Sequence, residues 1–207
     1  LTSFASYEII SIKFGRKIMK VLVIGSGGRG HTLCWKISRS PLLKELYCAP
    51  GNAGISSIAR LATIKPTSVP ELGDFAEKNK IDLTVVGPEL PLTFGIVDAF
   101  QERGLKIFGA TKESARLEGS KIFAKEFMAR RGIPTAAFRT FDIFDLALSF
   151  IQDEKTKFPT VVKADGLAAG KGVIVAMTKG EAKKAIDLIM KERAFGDAGE
   201  RVIVEEF

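Results

Sequence analysis

From Met19 onward, short and almost wholly apolar runs alternate with amphipathic stretches. Residues 20–24 predict a strand that ends in Gly25-Ser26-Gly27-Gly28, and residues 29–40 predict an amphipathic helix. Residues 45–48 predict a second strand, closed by Ala49-Pro50-Gly51-Asn52-Ala53-Gly54. A helix around 70–79, a strand at 83–86 ending in Gly87-Pro88-Glu89, a helix over 92–103 and a strand at 105–108 follow. Strands that are apolar at nearly every position are buried on both faces, which predicts an α/β unit with an open parallel sheet. Ligands of such sheets bind at the carboxyl ends of the strands, where each glycine-bearing turn falls.

The pattern changes after Gly109. Helices predicted at 112–117 and 121–131 meet at Glu118-Gly119-Ser120; strands are predicted at 138–141, 160–163, 173–176 and 202–205, with helices at 145–153 and 181–193. This divides the chain into residues 1–18, a first unit over 19–118 and a second over 119–207. Residues 1–18 open on Leu1, have no clear period and hold one acid, Glu8, so they predict a poorly ordered extension upstream of a natural start at Met19, with a short transit peptide as the other reading. Because the chain stops on a strand, the sheet of the second unit is expected to continue past Phe207.

Composition narrows the function classes. Hydrophobic residues at 46% supply a core, and no apolar run reaches the roughly 20 residues that span a bilayer, so a soluble, cytoplasmic protein with no membrane partner is expected. The net charge of +7 fits a phosphorylated small molecule as well as a solvated basic surface; without an arginine-rich stripe, nucleic acid is not expected as a partner. Cys34 and Cys48 read as buried free thiols, and His31, the one histidine, reads as a packing residue, which leaves no zinc set.

Gly25-Ser26-Gly27-Gly28-Arg29-Gly30 fits the G-x-G-x-x-G pattern that brings backbone amides to an anion at a helix start. A dinucleotide site also needs an acid at the end of the next strand, and that strand ends Tyr47-Cys48-Ala49-Pro50. A NAD-dependent oxidoreductase is thereby disfavoured, while a phosphate or carboxylate ligand and an empty tight turn both remain. The sharper signal is Val161-Val162-Lys163-Ala164-Asp165-Gly166-Leu167-Ala168-Ala169-Gly170-Lys171-Gly172-Val173, a small-residue loop between two strands. It lacks the Walker spacing, yet three glycines and two lysines suit a flap over a polyphosphate. Glu205 and Glu206 at the last strand's end suit an acceptor for a nucleotide's exocyclic amine, or an exposed strand end.

Taken together, MKVLVIGSGGRGHTLCW at 19–35, APGNAG at 49–54, IDLTVVGPE at 81–89, LEGSK at 117–121, KADGLAAGKGVIV at 163–175, AFGDAG at 194–199 and VEEF at 204–207 resemble the phosphoribosylamine–glycine ligase family of the ATP-grasp superfamily. The resemblance implies an amino-terminal open parallel-sheet domain followed by an incomplete ATP-grasp domain. It implies ATP-dependent joining of glycine to 5-phosphoribosylamine through glycyl phosphate, in purine synthesis. ATP would contact Lys121, Lys163, Asp165, Gly166, Leu167, Ala168, Ala169, Gly170, Lys171, Gly172, Glu205, Glu206 and Phe207. Gly27, Gly28, Arg29, Gly51, Asn52, Gly54, Gly87, Pro88 and Glu89 would line the phosphoribosylamine side. The family's Mg2+ or Mn2+ ligands and glycine site would lie beyond Phe207, so the catalytic residues are not in this chain and the chain alone is expected to be inactive. Gly30 stands where the family has glutamate, and weaker binding at that loop is expected. A related ATP-grasp carboxylase or carbamoyl-transferring enzyme, and a nucleotide-binding remnant, are the alternatives; oligomeric state is left open.

Overall fold

The computed structural model describes residues 18–168 and 170–207. Residues 1–17, which hold nearly all of the expected extension, and Ala169 lie outside the described residues. The described residues divide into two compact units: those up to Gly87 with Arg103–Phe108, and Pro88–Glu102 with Gly109–Phe207. Among the described residues no helix is long and apolar enough to cross a membrane.

The first unit holds β1 (Met19–Gly25), α1 (Gly28–Ser38), β2 (Leu43–Pro50), β3 (Arg60–Leu61), α2 (Val69–Lys78), β4 (Leu83–Val86) and β5 (Ile107–Phe108), with a 3-10 turn at Ile55–Ser57. All strands are parallel, in the order β3-β2-β1-β4-β5. The order reverses at β1, so the carboxyl ends of β1 and β4 flank the crevice where such sheets bind ligands. Val21, Val23, Leu46 and Cys48 from the sheet pack with Cys34 of α1 and Ile55. Both thiols are buried and free; the Cys48 Sγ donates to the Gly25 carbonyl (3.2 Å), which marks it as a packing group of the turn.

The second unit contributes α3 (Leu90–Thr93), α4 (Ile96–Glu102), α5 (Lys112–Gly119), α6 (Lys121–Arg130), β6 (Phe138–Phe141), α7 (Phe144–Gln152), β7 (Thr160–Ala164), β8 (Val173–Ala176), α8 (Lys179–Ile186) and β9 (Val202–Glu206). The single helix expected over 92–103 is two helices, because Gly95 adopts φ +77 and ends the first. The helix expected over 181–193 is likewise shorter: α8 gives way to a π turn at Asp187–Lys191. The sheet is antiparallel with order β6-β9-β7-β8, and β9 is paired on both sides.

Val162, Ala164, Ala176, Val202 and Val204 of this sheet are buried with Ala147 and Ile151 of α7 and Ala182, Ala185 and Ile186 of α8. Side chains alternate across a strand, so the residues between them face the other way. Register sets Val173, Lys163 and Ile203 in one row, and Val175, Val161 and Glu205 in the next. That second face carries a lysine and a carboxylate beside half-exposed valines, and the site is built on it.

Candidate nucleotide site and the turns of the parallel sheet

A cleft of about 480 Å3 in the second unit is lined by Glu89, Leu117, Glu118, Lys121, Ala124, Lys125, Met128, Lys163, Gly166, Leu167, Ala168, Gly170, Gly172, Val173 and Ile203. Helix α6 begins at Ser120, whose hydroxyl caps it by accepting from the Phe123 N–H (3.1 Å). This cap starts the helix at Lys121, and Lys125 follows one turn later on the same side. Lys121 Nζ donates to the Gly166 carbonyl at the root of the glycine loop (2.7 Å). Lys163 Nζ is ion-paired with Glu205 Oε1, and Lys125 Nζ lies 2.5 Å from Glu205 Oε2.

Three ammonium groups thus share this cleft. Burial pulls Lys121, Lys125 and Lys163 below the ordinary lysine value of 10.5; for Lys163 the neighbouring Lys125 and Lys121 charges add to the effect, and for Lys121 the Asp165 and Glu118 charges oppose it. Partly desolvated cations that repel one another are stabilised by a polyanion, and phosphates supply one. The half-exposed Val173 and Val175 on the same sheet face offer an apolar surface beside them.

The carboxylates of Asp165 and Glu205 are both engaged by neighbouring side chains. The Asp165 side chain points away from the cleft: it accepts from the Ser120 hydroxyl (2.9 Å), the Ile122 N–H (3.1 Å) and Arg201 Nη2 (2.6 Å). A buried carboxylate with three such donors is a structural tie and has little capacity left for a ligand. Glu205 is ion-paired with Lys163 and Lys125, and it lines a second depression with the exposed Glu206 and Phe207 and with Phe138, Arg139 and Thr160. Gly166, Leu167, Ala168, Gly170 and Gly172 line the cleft, and Lys171 is exposed on the loop. Sequence reasoning missed Lys125, although its spacing of four from Lys121 was visible, and missed Ser120 and Arg201 as partners of Asp165.

In the first unit the turns after β1, β2 and β4 come together. The Gly51 N–H donates to the Gly25 carbonyl (3.1 Å), and Gly87 N–H donates to Ile24 (2.9 Å). Asn52 stitches two turns: its Nδ2 donates to the Ser26 carbonyl (2.7 Å) while its Oδ1 accepts from the Ile55 N–H (2.9 Å). Gly51 needs its φ of +72, and a Cβ on Gly54 would meet His31 Cε1 at 2.7 Å, so His31 lies against the Gly54 backbone. Gly30 is buried, and a Cβ there would stand 3.2 Å from the Gly25 carbonyl carbon, so a glutamate at this position requires the β1 turn to shift. Gly27 and Gly28 differ from these: a Cβ would meet nothing within 4 Å, and neither has a left-handed φ. No packing demand explains them. Exposed Arg29 lies beside them at the start of α1, a helix with no acid in its first turn. Pro88 and Glu89 belong to the second unit, and Glu89 lines its cleft.

Residues 19–118 match the family model for the phosphoribosylglycinamide synthetase N domain, and residues 119–207 match the model for the ATP-grasp (A) domain of the same family. Phosphoribosylamine–glycine ligase of Caldanaerobacter subterraneus subsp. tengcongensis is 53% identical over 188 residues, which is 91% of this chain and 45% of that protein. The enzyme of that name from Escherichia coli strain K12 is also 53% identical, over 191 residues. The chain therefore spans just under half the length of the curated relatives it matches. A crystal structure of phosphoribosylamine–glycine ligase from Thermotoga maritima superposes with a TM-score of 0.72 at 31% identity, covering 91% of this chain and 44% of that one. Carboxyaminoimidazole ribonucleotide synthase from Aspergillus clavatus, solved with ATP, has a TM-score of 0.69 at 19% identity and shares the fold. With both domain models matched in succession from Met19 to Phe207, the chain belongs to the phosphoribosylglycinamide synthetase family.

Proposed function

We propose that this chain binds ATP in the second unit and the phosphate-bearing amine in the first, within an enzyme that ligates glycine to 5-phosphoribosylamine. The products are glycinamide ribonucleotide, ADP and phosphate. The observation that carries the reading is the group of three partly desolvated lysines facing a glycine loop. Glycine's carboxylate attacks the γ-phosphorus and ADP leaves; the amine nitrogen then attacks the carbonyl carbon of glycyl phosphate, phosphate leaves and a proton is lost. Lys121, Lys125 and Lys163 neutralise the charge that spreads over the phosphates, and the amides of Gly166, Gly170 and Gly172 close on them from the loop. Glu206 and Phe207 are left to meet the base. Among the described residues no group of three or more His, Cys, Asp or Glu side chains is placed to hold a metal.

Calorimetry tests the ATP site directly. ATP binds with an affinity that falls as pH rises through the depressed lysine range below 10.5, because the phosphates require the ammonium forms. In the ligand-free chain these three lysines act oppositely: they release protons more readily folded than unfolded, so their own contribution to stability rises with pH across that window. Absence of binding at millimolar ATP, or a pH-independent affinity between pH 7 and 10 (a range of about three units, set to bracket lowered lysines), would remove the proposal. ADP release that requires both glycine and phosphoribosylamine tests the reaction of the whole enzyme.

Gly28→Ala separates ligand approach from folding. The added methyl meets nothing within 4 Å and stands in a helix. Thermal stability should hold or rise by up to about 1 kcal/mol. Affinity for ribose 5-phosphate should drop about tenfold, the loss of roughly one charge-assisted hydrogen bond. Unchanged affinity would disconnect the turn from the substrate.

A further inference from the structure

The AFGDAG segment at 194–199 has no place in the cleft lining, yet it touches both ends of the glycine loop. The loop leaves β7 at Asp165–Gly166 and re-enters the sheet at Gly172. Gly166 has φ +131, and a Cβ there would lie 3.0 Å from Ala198 Cβ. At the other end a Cβ on Gly172 would lie 4.0 Å from Phe195 Cγ and 2.7 Å from Ala168 Cβ. Between these contacts the Asp165 N–H donates to the Arg201 carbonyl (3.1 Å), and Arg201 Nη2 returns a bond to the Asp165 carboxylate (2.6 Å).

The segment is itself anchored at its far side. In a regular α-helix the Leu188 carbonyl would accept from the Glu192 N–H; in the π turn that N–H goes to Asp187 (2.9 Å). Leu188 accepts from Ala194 instead (3.2 Å), which fastens the segment to the end of α8. Phe195 and Ala198 pack against the core shared by α7, α8 and the sheet. The chain of contacts runs from that core, through Phe195, Ala198 and Arg201, to the loop's root, where Lys121 holds the Gly166 carbonyl.

We propose that residues 194–201 form a brace that presets the phosphate loop, with Phe195, Ala198 and Arg201 as positioning residues for the polyphosphate. The proposal rests on the ATP reading of the cleft. A loop with glycines at 166, 170 and 172 has more backbone freedom to lose on closing than the same loop with side chains at those positions would have. Ordering it on binding would subtract from affinity; a hinge fixed beforehand at both ends removes part of that loss.

The experiment uses the full chain with Phe195→Ala and, separately, Arg201→Gln, where the arginine is half exposed and glutamine keeps an amide donor for the Asp165 carboxylate. Calorimetry compares ATP with AMP, which lacks the β- and γ-phosphates, and hydrogen exchange follows the amides of Gly166, Gly170 and Gly172 without nucleotide. Both variants should weaken ATP about 5–20-fold and AMP less than about twofold, and loop exchange should quicken about tenfold. Equal losses for ATP and AMP, or unchanged exchange in either variant, would overturn the brace. Failure of the parent chain to bind ATP would overturn the site itself, and the exchange comparison would still decide whether the brace exists.

Discussion

Lys163→Ala should weaken ATP binding about 30–100-fold, close to 2–3 kcal/mol, the range for losing a hydrogen bond between charged groups. Lys163 stands on β7 inside the antiparallel sheet, bonded on one side to β8 and on the other to β9, so its ammonium has little freedom and little ordering to do when phosphate arrives. It shares Glu205 with Lys125. Removing it subtracts one charge from the cleft and leaves the carboxylate, 6% exposed, on a single partner, which then draws Lys125 away from an incoming phosphate. Lys171 is the comparison. It is exposed on the loop, its charge is screened, and its removal should cost about threefold or less. Calorimetry on both variants at one ionic strength makes the test. A larger loss at Lys171 than at Lys163 would mean that the loop lysine carries the phosphate and the sheet lysine is structural.

Much of the fold was legible because its strands are short apolar runs between glycines and prolines. The strands at Leu83–Val86, Phe138–Phe141 and Val173–Ala176 fall where the pattern put them. Strand β3 did not show, since Arg60 and Leu61 are both exposed and their pairing with Tyr47 and Cys48 comes from position in space. The break at Gly95 was hidden by apolar residues continuing at helical spacing on both sides of it. Within the site, Lys121, Lys163 and the glycine loop were legible as chemistry. The direction of Asp165 was not: it is fixed by Arg201, which is 36 residues away in sequence, and by the cap of a helix in another part of the unit. The face taken by Glu205 was hidden for a related reason. Residues 202–205 are all buried, so alternation along β9 could not tell which face the carboxylate takes. Only the register with Val161 and the contact with Lys163 place it.

Gly199→Ala should lower stability by about 2–4 kcal/mol, at the upper end of overpacking and the largest single-methyl effect argued from this fold. A Cβ at this position would stand 2.2 Å from the Ile189 carbonyl oxygen and 3.3 Å from its carbon. Both are backbone atoms of the π turn, which cannot rotate aside as a side chain would. The 3-10 turn at Gly196–Gly199 and the π turn must separate, and with them the bond from Ala194 to Leu188. The residue has no left-handed φ, so alanine's backbone preference is not at issue and space alone sets the cost. For a chain of this size the melting temperature should fall by about 5–15 °C. Gly28→Ala supplies the opposite case, a glycine with empty space around it and no expected loss. A melt that moves by less than about 2 °C for Gly199→Ala would show that the π turn yields easily, and a yielding turn could not hold the phosphate loop from behind. A large fall would establish that the last glycine of AFGDAG is set by close backbone approach, and that the segment is pressed against α8 firmly enough to transmit that restraint to Gly166.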